Sequence, residues 1–378
     1  MPYWRLSAFY LFYFASLGAL LPYWGLYLQS LGFDSVAIGS LMAILMVTKV
    51  VAPNLWGWLG DHLGHRMRIV QLASLLALLA FPGIFFVNGF WGIALVMAFY
   101  SFFWNASLPQ FEAVTLNYLG SRAERYARIR VWGSVGFILT VVGMGHWVDR
   151  AGPDAVAWGV LATFAGVLLA SLMVKDLPNH RPHEAQPSLA SLLARRDVAA
   201  FLLAVFLMQM SHGPYYAFYT IYLQDLGYTK TTIGVLWGLG VAAEVMLFLF
   251  MHRLLRRFDT RSILMTSLAL AGLRWVFIGW FPEILPVLAI SQLLHAASFG
   301  SFHASAIHMI HGYFKGVHQG RGQALYASIS FGAGGAAGTF ISGFMWAHWG
   351  ATFAYTLASL VALAGAGIVW RYVTENRG

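Results

Sequence analysis

Long apolar runs, separated by short polar breaks bearing glycine and proline, recur from one end of the chain to the other. Twelve are long enough, at about 20 residues each, to cross a ~30 Å hydrocarbon layer as helices. They fall near 6–28, 36–58, 69–87, 91–117, 131–148, 155–174, 198–223, 232–252, 262–281, 284–311, 323–346 and 351–373. The first run, Leu6 to Leu28, follows a lone Arg5 with no small-residue cleavage site after a short core. It reads as a first span and not as a signal peptide. The eleventh is the richest in glycine (Gly332, Gly334, Gly335, Gly338, Gly343), with a small-xxx-small spacing that predicts close helix contact.

Composition agrees with this pattern. The 378 residues are 59% hydrophobic and 10% charged, whereas a soluble domain carries roughly 25% charged residues. A net charge of +9 raises the question of a nucleic-acid partner. The basic residues, however, sit in short segments between apolar runs and form no aromatic-interleaved basic surface, so no nucleic acid is expected. With the N-terminus cytoplasmic, 19 of the 23 Lys and Arg residues lie on the cytoplasmic side. Such a bias predicts an even number of spans and both termini in the cytoplasm. The chain has no cysteine, which excludes disulfides, cysteine-ligated zinc and thiol catalysis. No glycine-rich loop ending in Gly-Lys-Ser/Thr marks an ATPase. The spans offer no nucleophile–base pair, and no connection is large enough for a sensor's output domain. His303, His308 and His311 follow one another along the tenth span, but 303 and 308 do not share a helix face. No metal or other cofactor is expected.

The chain repeats itself. Tyr27-Leu28-Gln29-Ser30-Leu31-Gly32-Phe33 returns as Tyr222-Leu223-Gln224-Asp225-Leu226-Gly227-Tyr228, and Ile38-Gly39 as Ile233-Gly234, always at an offset of 195. The longest polar connection, 176–197, divides the copies and has the proline and charge of a linker. Domains are therefore expected at 1–175 and 198–378. Under the same offset Lys49 aligns with Glu244, so one repeated position carries opposite charges.

Between the second and third spans lies Gly57-Trp58-Leu59-Gly60-Asp61-His62-Leu63-Gly64-His65-Arg66. This resembles the signature loop of the major facilitator superfamily, with His62 where Arg or Lys is usual. Gly57, Asp61, Gly64 and Arg66 carry the match; the glycines allow a tight reversal, and the Asp can face basic groups or a helix N-terminus. The first span, Pro109-Gln110-Phe111-Glu112-Ala113, and Arg128 through Phe137 are similar to the lactose permease branch. Arg130-Val131-Trp132-Gly133-Ser134, Gly238 through Val245, Arg274-Trp275 and Leu294-His295 look more like the phenylpropionate permease group. The resemblance implies an all-α membrane protein of major facilitator fold: twelve transmembrane helices in two pseudo-symmetric six-helix halves, with a substrate site between them.

Five ionisable residues interrupt the spans or their ends: Lys49, Glu112, Glu244, Arg274 and His295. A charge at mid-membrane costs about 2.5–3.5 kcal/mol, so each needs a partner or water. Lys49, Glu244 and Arg274 lie at comparable depth, and a long Arg is expected to reach Glu244. The resemblance implies that Glu112 and Arg130 form a substrate-binding charge pair. It also implies that Glu244, Arg274 and His295 serve substrate binding and proton coupling. Ser298 stands where the permease has a proton-carrying carboxylate, and Ser cannot take up that proton. That leaves Glu244 as the expected proton carrier, with His295 second. Phe137 replaces the Trp of sugar permeases, and with Tyr23, Trp24, Phe103, Trp104, Tyr215, Tyr216 and Tyr219 it is expected to line an apolar, aromatic cavity. The sequence thus points to a monomeric, multi-pass transporter of the bacterial inner membrane, coupling protons to a small aromatic carboxylate. Sugar or nucleoside symport is the main alternative, and drug export the next.

Overall fold

The computed structural model describes residues 2–176, 190–314 and 319–374, without the side chains of Asp61, Ser121, Ala123, Ala190, Ser191 and Gln319. Most of the connection 176–197 therefore lies outside the described residues. Among those residues there are helices and turns and no strand. The spans are α1 (Tyr3–Ser30), α2 (Ser35–Leu63), α3 (Arg66–Phe85), α4 (Gly89–Leu119), α5 (Tyr126–Ala151), α6 (Ala155–Leu172), α7 (Arg196–Asp225), α8 (Lys230–Arg257), α9 (Thr260–Trp280) and α10 (Leu285–Tyr313). A last helical stretch, Gly320–Tyr372, has 53 residues. At ~1.5 Å per residue that is about 80 Å, more than twice the hydrocarbon thickness. Gly350, at φ 79° and ψ 179°, breaks it into α11 (320–349) and α12 (351–372). Among the described residues the count is then twelve, as the apolar runs predict.

The outer faces stay apolar. Phe86, Trp91, Leu79, Leu139, Leu169 and Trp370 are all more than 60% exposed. That would be untenable in water and is natural against lipid, with Trp residues gathered toward helix ends.

Repetition in sequence is repetition in backbone. Gly32 and Gly227 both have φ 88°, a left-handed conformation that other residues rarely adopt. In both copies the glycine N–H and that of the next residue bond back into the last helical turn, at Gln29 and Leu28 and at Gln224 and Leu223. Two residues after each glycine a side chain caps the next helix. Asp34 accepts from Ala37 N at 2.8 Å, and Thr229 Oγ1 from Thr232 N at 3.1 Å. The helix-start function is kept while the residue type changes. A second repeat escapes sequence inspection: Gly152, between α5 and α6, has φ 83° and ψ 179°, matching Gly350 between α11 and α12.

Two compact units result: Met1–Pro182 with Ala217–Gly238, and His183–Tyr216 with Leu239–Gly378. In the first, α1 packs on α5 and α6, while α4 packs on α2 and α3. A Cβ at Gly136 would collide with the Leu11 carbonyl, so bare backbone lets α1 and α5 approach closely. Asp149 in α5 accepts from Lys230 N and Thr231 N, each at 2.8 Å, and thereby caps the start of α8. In the second unit α7 and α9 pack on the final helical stretch. A Cβ at Gly338 would collide with the Met210 carbonyl, so the predicted close contact of the glycine-rich span is real and is made with α7.

One span differs from expectation. The seventh is not a continuous helix: it consists of Arg196–Ser211 and Gly213–Asp225, meeting at His212. Pro214 has no N–H to continue the hydrogen-bond ladder, and its ring disfavours the helical conformation at the residue before it. Breaks of this kind survive in membranes where the freed backbone is buried in protein or lines a polar site.

Candidate functional site

In the first unit the ionisable residues cluster between α1, α4 and α5. Arg130 Nε lies 4.0 Å from Glu112 Oε1, with side chains 30% and 38% exposed. Tyr126 Oη donates to the same carboxylate oxygen at 3.0 Å. The Arg130 guanidinium lies over the Phe14 ring at 3.8 Å and near Tyr10 at 5.6 Å. The predicted Glu112–Arg130 pair therefore forms, with aromatic rings against the cation. Tyr126 is an additional member that sequence reasoning missed. Lys49 in α2 is half-buried and has no hydrogen bond or ion pair among the described residues.

Phe137 is 6% exposed, and its carbonyl lies where a Cβ at Gly18 would intrude. It works in the α1–α5 contact. Tyr23, Trp24 and Tyr219 are fully buried, Tyr23 donating to the Val141 carbonyl at 2.7 Å and Trp24 to Met97 Sδ at 3.4 Å. These aromatics pack as core in this conformation, where the sequence led us to expect a cavity wall. The reason is that period and composition cannot tell a lining ring from a packed one.

In the signature loop Gly64, at φ 69°, ends α2. Arg66 Nη1 donates to Gln110 Oε1 at 2.9 Å, and a Cβ at Gly60 would come within 2.8 Å of that same oxygen. A Cβ at Gly57 would lie 3.6 Å from Gln110 Nε2. Asp61's side chain lies outside the described ones.

The second unit holds a denser constellation. Arg274 in α9 is fully buried, donating through Nε to the Ser291 carbonyl at 3.0 Å and through Nη2 to Gln292 Oε1 at 3.3 Å. Its guanidinium lies 4.2 Å from the Tyr215 ring centre and 4.6 Å from that of Trp275. Glu244 in α8 faces His295, with Oε2 3.5 Å from Nε2. The expected reach of Arg274 to Glu244 is not found: Arg274 is occupied by α10, and His295 takes the place beside the carboxylate. Depth arithmetic gives axial position only, and the azimuth decided otherwise. Directly after His295 the helix widens into a π turn, Ala296–Gly300, a distortion frequent at functional sites. Gly300 leaves room for Glu244, whose Cγ would lie 3.0 Å from an added Cβ. The His295 ring stacks on Phe299 at 5.1 Å.

His212 joins this cluster and was missed. It is fully buried at the break in α7, 6.5 Å from the His295 ring and 4.7 Å from that of Trp275. The Gly213-Pro214 breaker inside an apolar run was the available signal. His303 and His311 have other partners, Tyr326 Oη at 2.9 Å and Gln323 Nε2 at 2.8 Å.

Twelve apolar helices in two related sets, with buried charged clusters in the span interiors, define a multi-pass membrane transporter of major facilitator architecture. The chain belongs to the MFS_1 like family, whose model matches residues 3–357. It is similar to the probable 3-phenylpropionic acid transporter of Escherichia coli (strain K12), 29% identical over 94% of this chain and 93% of that one. The maltose permease of Geobacillus stearothermophilus is 26% identical over 99% and 96%. Among solved structures, a mutant of the nucleoside transporter NupG superposes with a TM-score of 0.85 at 17% identity, over 97% of both chains. The protein is a transporter and not an enzyme.

Proposed function

We propose that the protein moves a small aromatic carboxylate, such as 3-phenylpropionate, across the bacterial inner membrane together with protons. One observation carries the choice of an anion. Among the ionisable groups described inside spans, Glu112 has Arg130 and Glu244 has His295, but Lys49 and Arg274 have no carboxylate partner. A buried cation without a counter-ion is unfavourable, and an organic anion would supply one. Rings beside Arg274 and Arg130 suit an aryl group, and the name of the Escherichia coli relative agrees. Sugar or nucleoside symport is the second reading, favoured by the names of the other relatives, but both substrate classes are uncharged and supply no counter-ion to either cation. Drug export has no observation in its favour.

In this reading Lys49, Arg130 or Arg274 holds the carboxylate, and Glu112 holds Arg130. Phe137 and the tyrosines face the ring when the site opens. Glu244 and His295 carry the coupling proton. Gly57, Asp61, Gly64 and Arg66 form the signature loop of the cytoplasmic surface. The halves 1–175 and 198–378, joined by 176–197, are the moving bodies of alternating access. Both termini are cytoplasmic, and the working unit is a monomer without cofactor.

Binding of 3-phenylpropionate to the purified protein tests the choice of an anion. Lys49→Gln or Arg274→Gln should weaken that binding by roughly tenfold or more, the scale of a lost charge-assisted hydrogen bond. The uncharged 3-phenylpropionamide should be little affected. Equal losses for both compounds, or tighter binding of lactose or uridine, would contradict the reading.

A further inference from the structure

Five described buried side chains of the second unit each leave a polar atom without a hydrogen-bond partner, and three of them, Arg274 Nη1, His212 Nε2 and His295 Nδ1, are on charged or titratable groups. These three belong to one cluster. The Trp275 ring lies 4.6 Å from the guanidinium and 4.7 Å, edge-on, from the His212 ring, and the two imidazoles are 6.5 Å apart. Buried polar groups are nearly always satisfied, so three orphans together point to something that binds there.

The hydrogen-bonding sense of each atom narrows what that is. His212 Nδ1 lies 2.8 Å from the Met208 carbonyl. A carbonyl can only accept, so Nδ1 carries the hydrogen, and Nε2 of the neutral ring presents a lone pair. His295 Nε2 faces the Glu244 carboxylate, which likewise leaves Nδ1 as the lone-pair side of the neutral ring. Arg274 Nη1 can only donate. A donor beside an imidazole acceptor is complementary to a carboxylic acid: the carbonyl oxygen accepts from arginine, and the hydroxyl donates to the ring. The same atoms with the proton moved are a carboxylate between two cations.

We propose that His212 is a substrate-contacting residue whose Nε2, together with Arg274 Nη1, binds the carboxyl group and one proton as a single unit. This rests on the aromatic-carboxylate reading above and goes further. Substrate and coupling proton share one site: Glu244 and His295 pass the proton toward it, and on binding the proton sits between Nε2 and a carboxyl oxygen. No covalent bond of the substrate changes; the proton comes from water and returns to it on release. The titratable and charged groups facing His212 are Arg274 from α9, His295 from α10 and Tyr216 from its own span; Tyr215 lies against Arg274 and His295, and Glu244 of α8 stands behind His295. Such an arrangement needs no carboxylate at Ser298. It also accounts for a histidine placed at a helix break, where its N–H bonds back to the Gln209 carbonyl and its carbonyl accepts from Tyr216 N.

The test is binding of 3-phenylpropionate to the purified full-length protein across pH, with proton uptake read in weakly buffered solution. His212→Asn keeps a donor for the Met208 carbonyl and removes Nε2; His212→Gln puts a group that cannot be protonated near Nε2. For the wild type we expect affinity to rise as pH falls, and protons to be taken up on binding. Both variants should bind roughly tenfold or more weakly at low pH, lose the pH slope and take up no proton. Variants with wild-type slope and uptake would overturn the proposal and leave the carboxylate reading standing. So would a wild type that binds without proton uptake, a result that needs no variant to fold. A wild type that binds no 3-phenylpropionate at any pH would remove the substrate reading and this proposal with it.

Discussion

Glu244 sits 3.5 Å from His295 with Gly300 giving it room, so its carboxylate is placed to exchange a proton with an imidazole. Replacing it by Gln keeps size and hydrogen bonding but removes the charge. Glu244→Gln should therefore abolish proton-driven accumulation in vesicles while sparing substrate exchange; intact accumulation would remove Glu244 from the coupling. Residue identities at this scale were well legible, because a charge in an apolar run is conspicuous and must be compensated. Partnerships were less so. Glu112 and Arg130 pair as the family resemblance implied, yet Glu244 turned to His295 because the π turn and the hold of Ser291 and Gln292 on Arg274 fix azimuth. His212 went unread because a lone histidine amid aromatics looks like packing, and its significance lies in an atom left unpaired.

Among the elements, span count and rough limits followed from apolar run length alone, and the offset of 195 announced the shared Gly32 and Gly227 turns. Two features lay beyond such patterns. The break at His212 needed the backbone consequence of Gly213-Pro214. The capping of α8 by Asp149, from a span far away in sequence, needed tertiary structure. That cap joins the carboxylate to two backbone N–H groups and to Thr231 Oγ1 at 2.6 Å. Asp149→Ala should lower stability by about 1 kcal/mol, as loss of a helix cap does, and appear as a reduced unfolding midpoint in detergent. Asp149→Asn should recover much of it, since an amide oxygen still accepts. An unchanged midpoint in the alanine variant would show that the cap does not stabilise the folded protein.

For the whole molecule, apolar surface, paired sets of helices and buried charge together define a transporter, and the family match over residues 3–357 agrees. What it carries was legible only as a charge argument, because related scaffolds serve different substrates, and sugar and nucleoside transporters share this fold. The central claim is proton-coupled movement of an aromatic carboxylate. The direct measurement is uptake of labelled 3-phenylpropionate into proteoliposomes, with and without an inward proton gradient, with lactose and uridine as competitors. Uptake that depends on the gradient and resists both competitors is the predicted result. Folded protein that takes up no 3-phenylpropionate, or uptake indifferent to the gradient, would contradict the account.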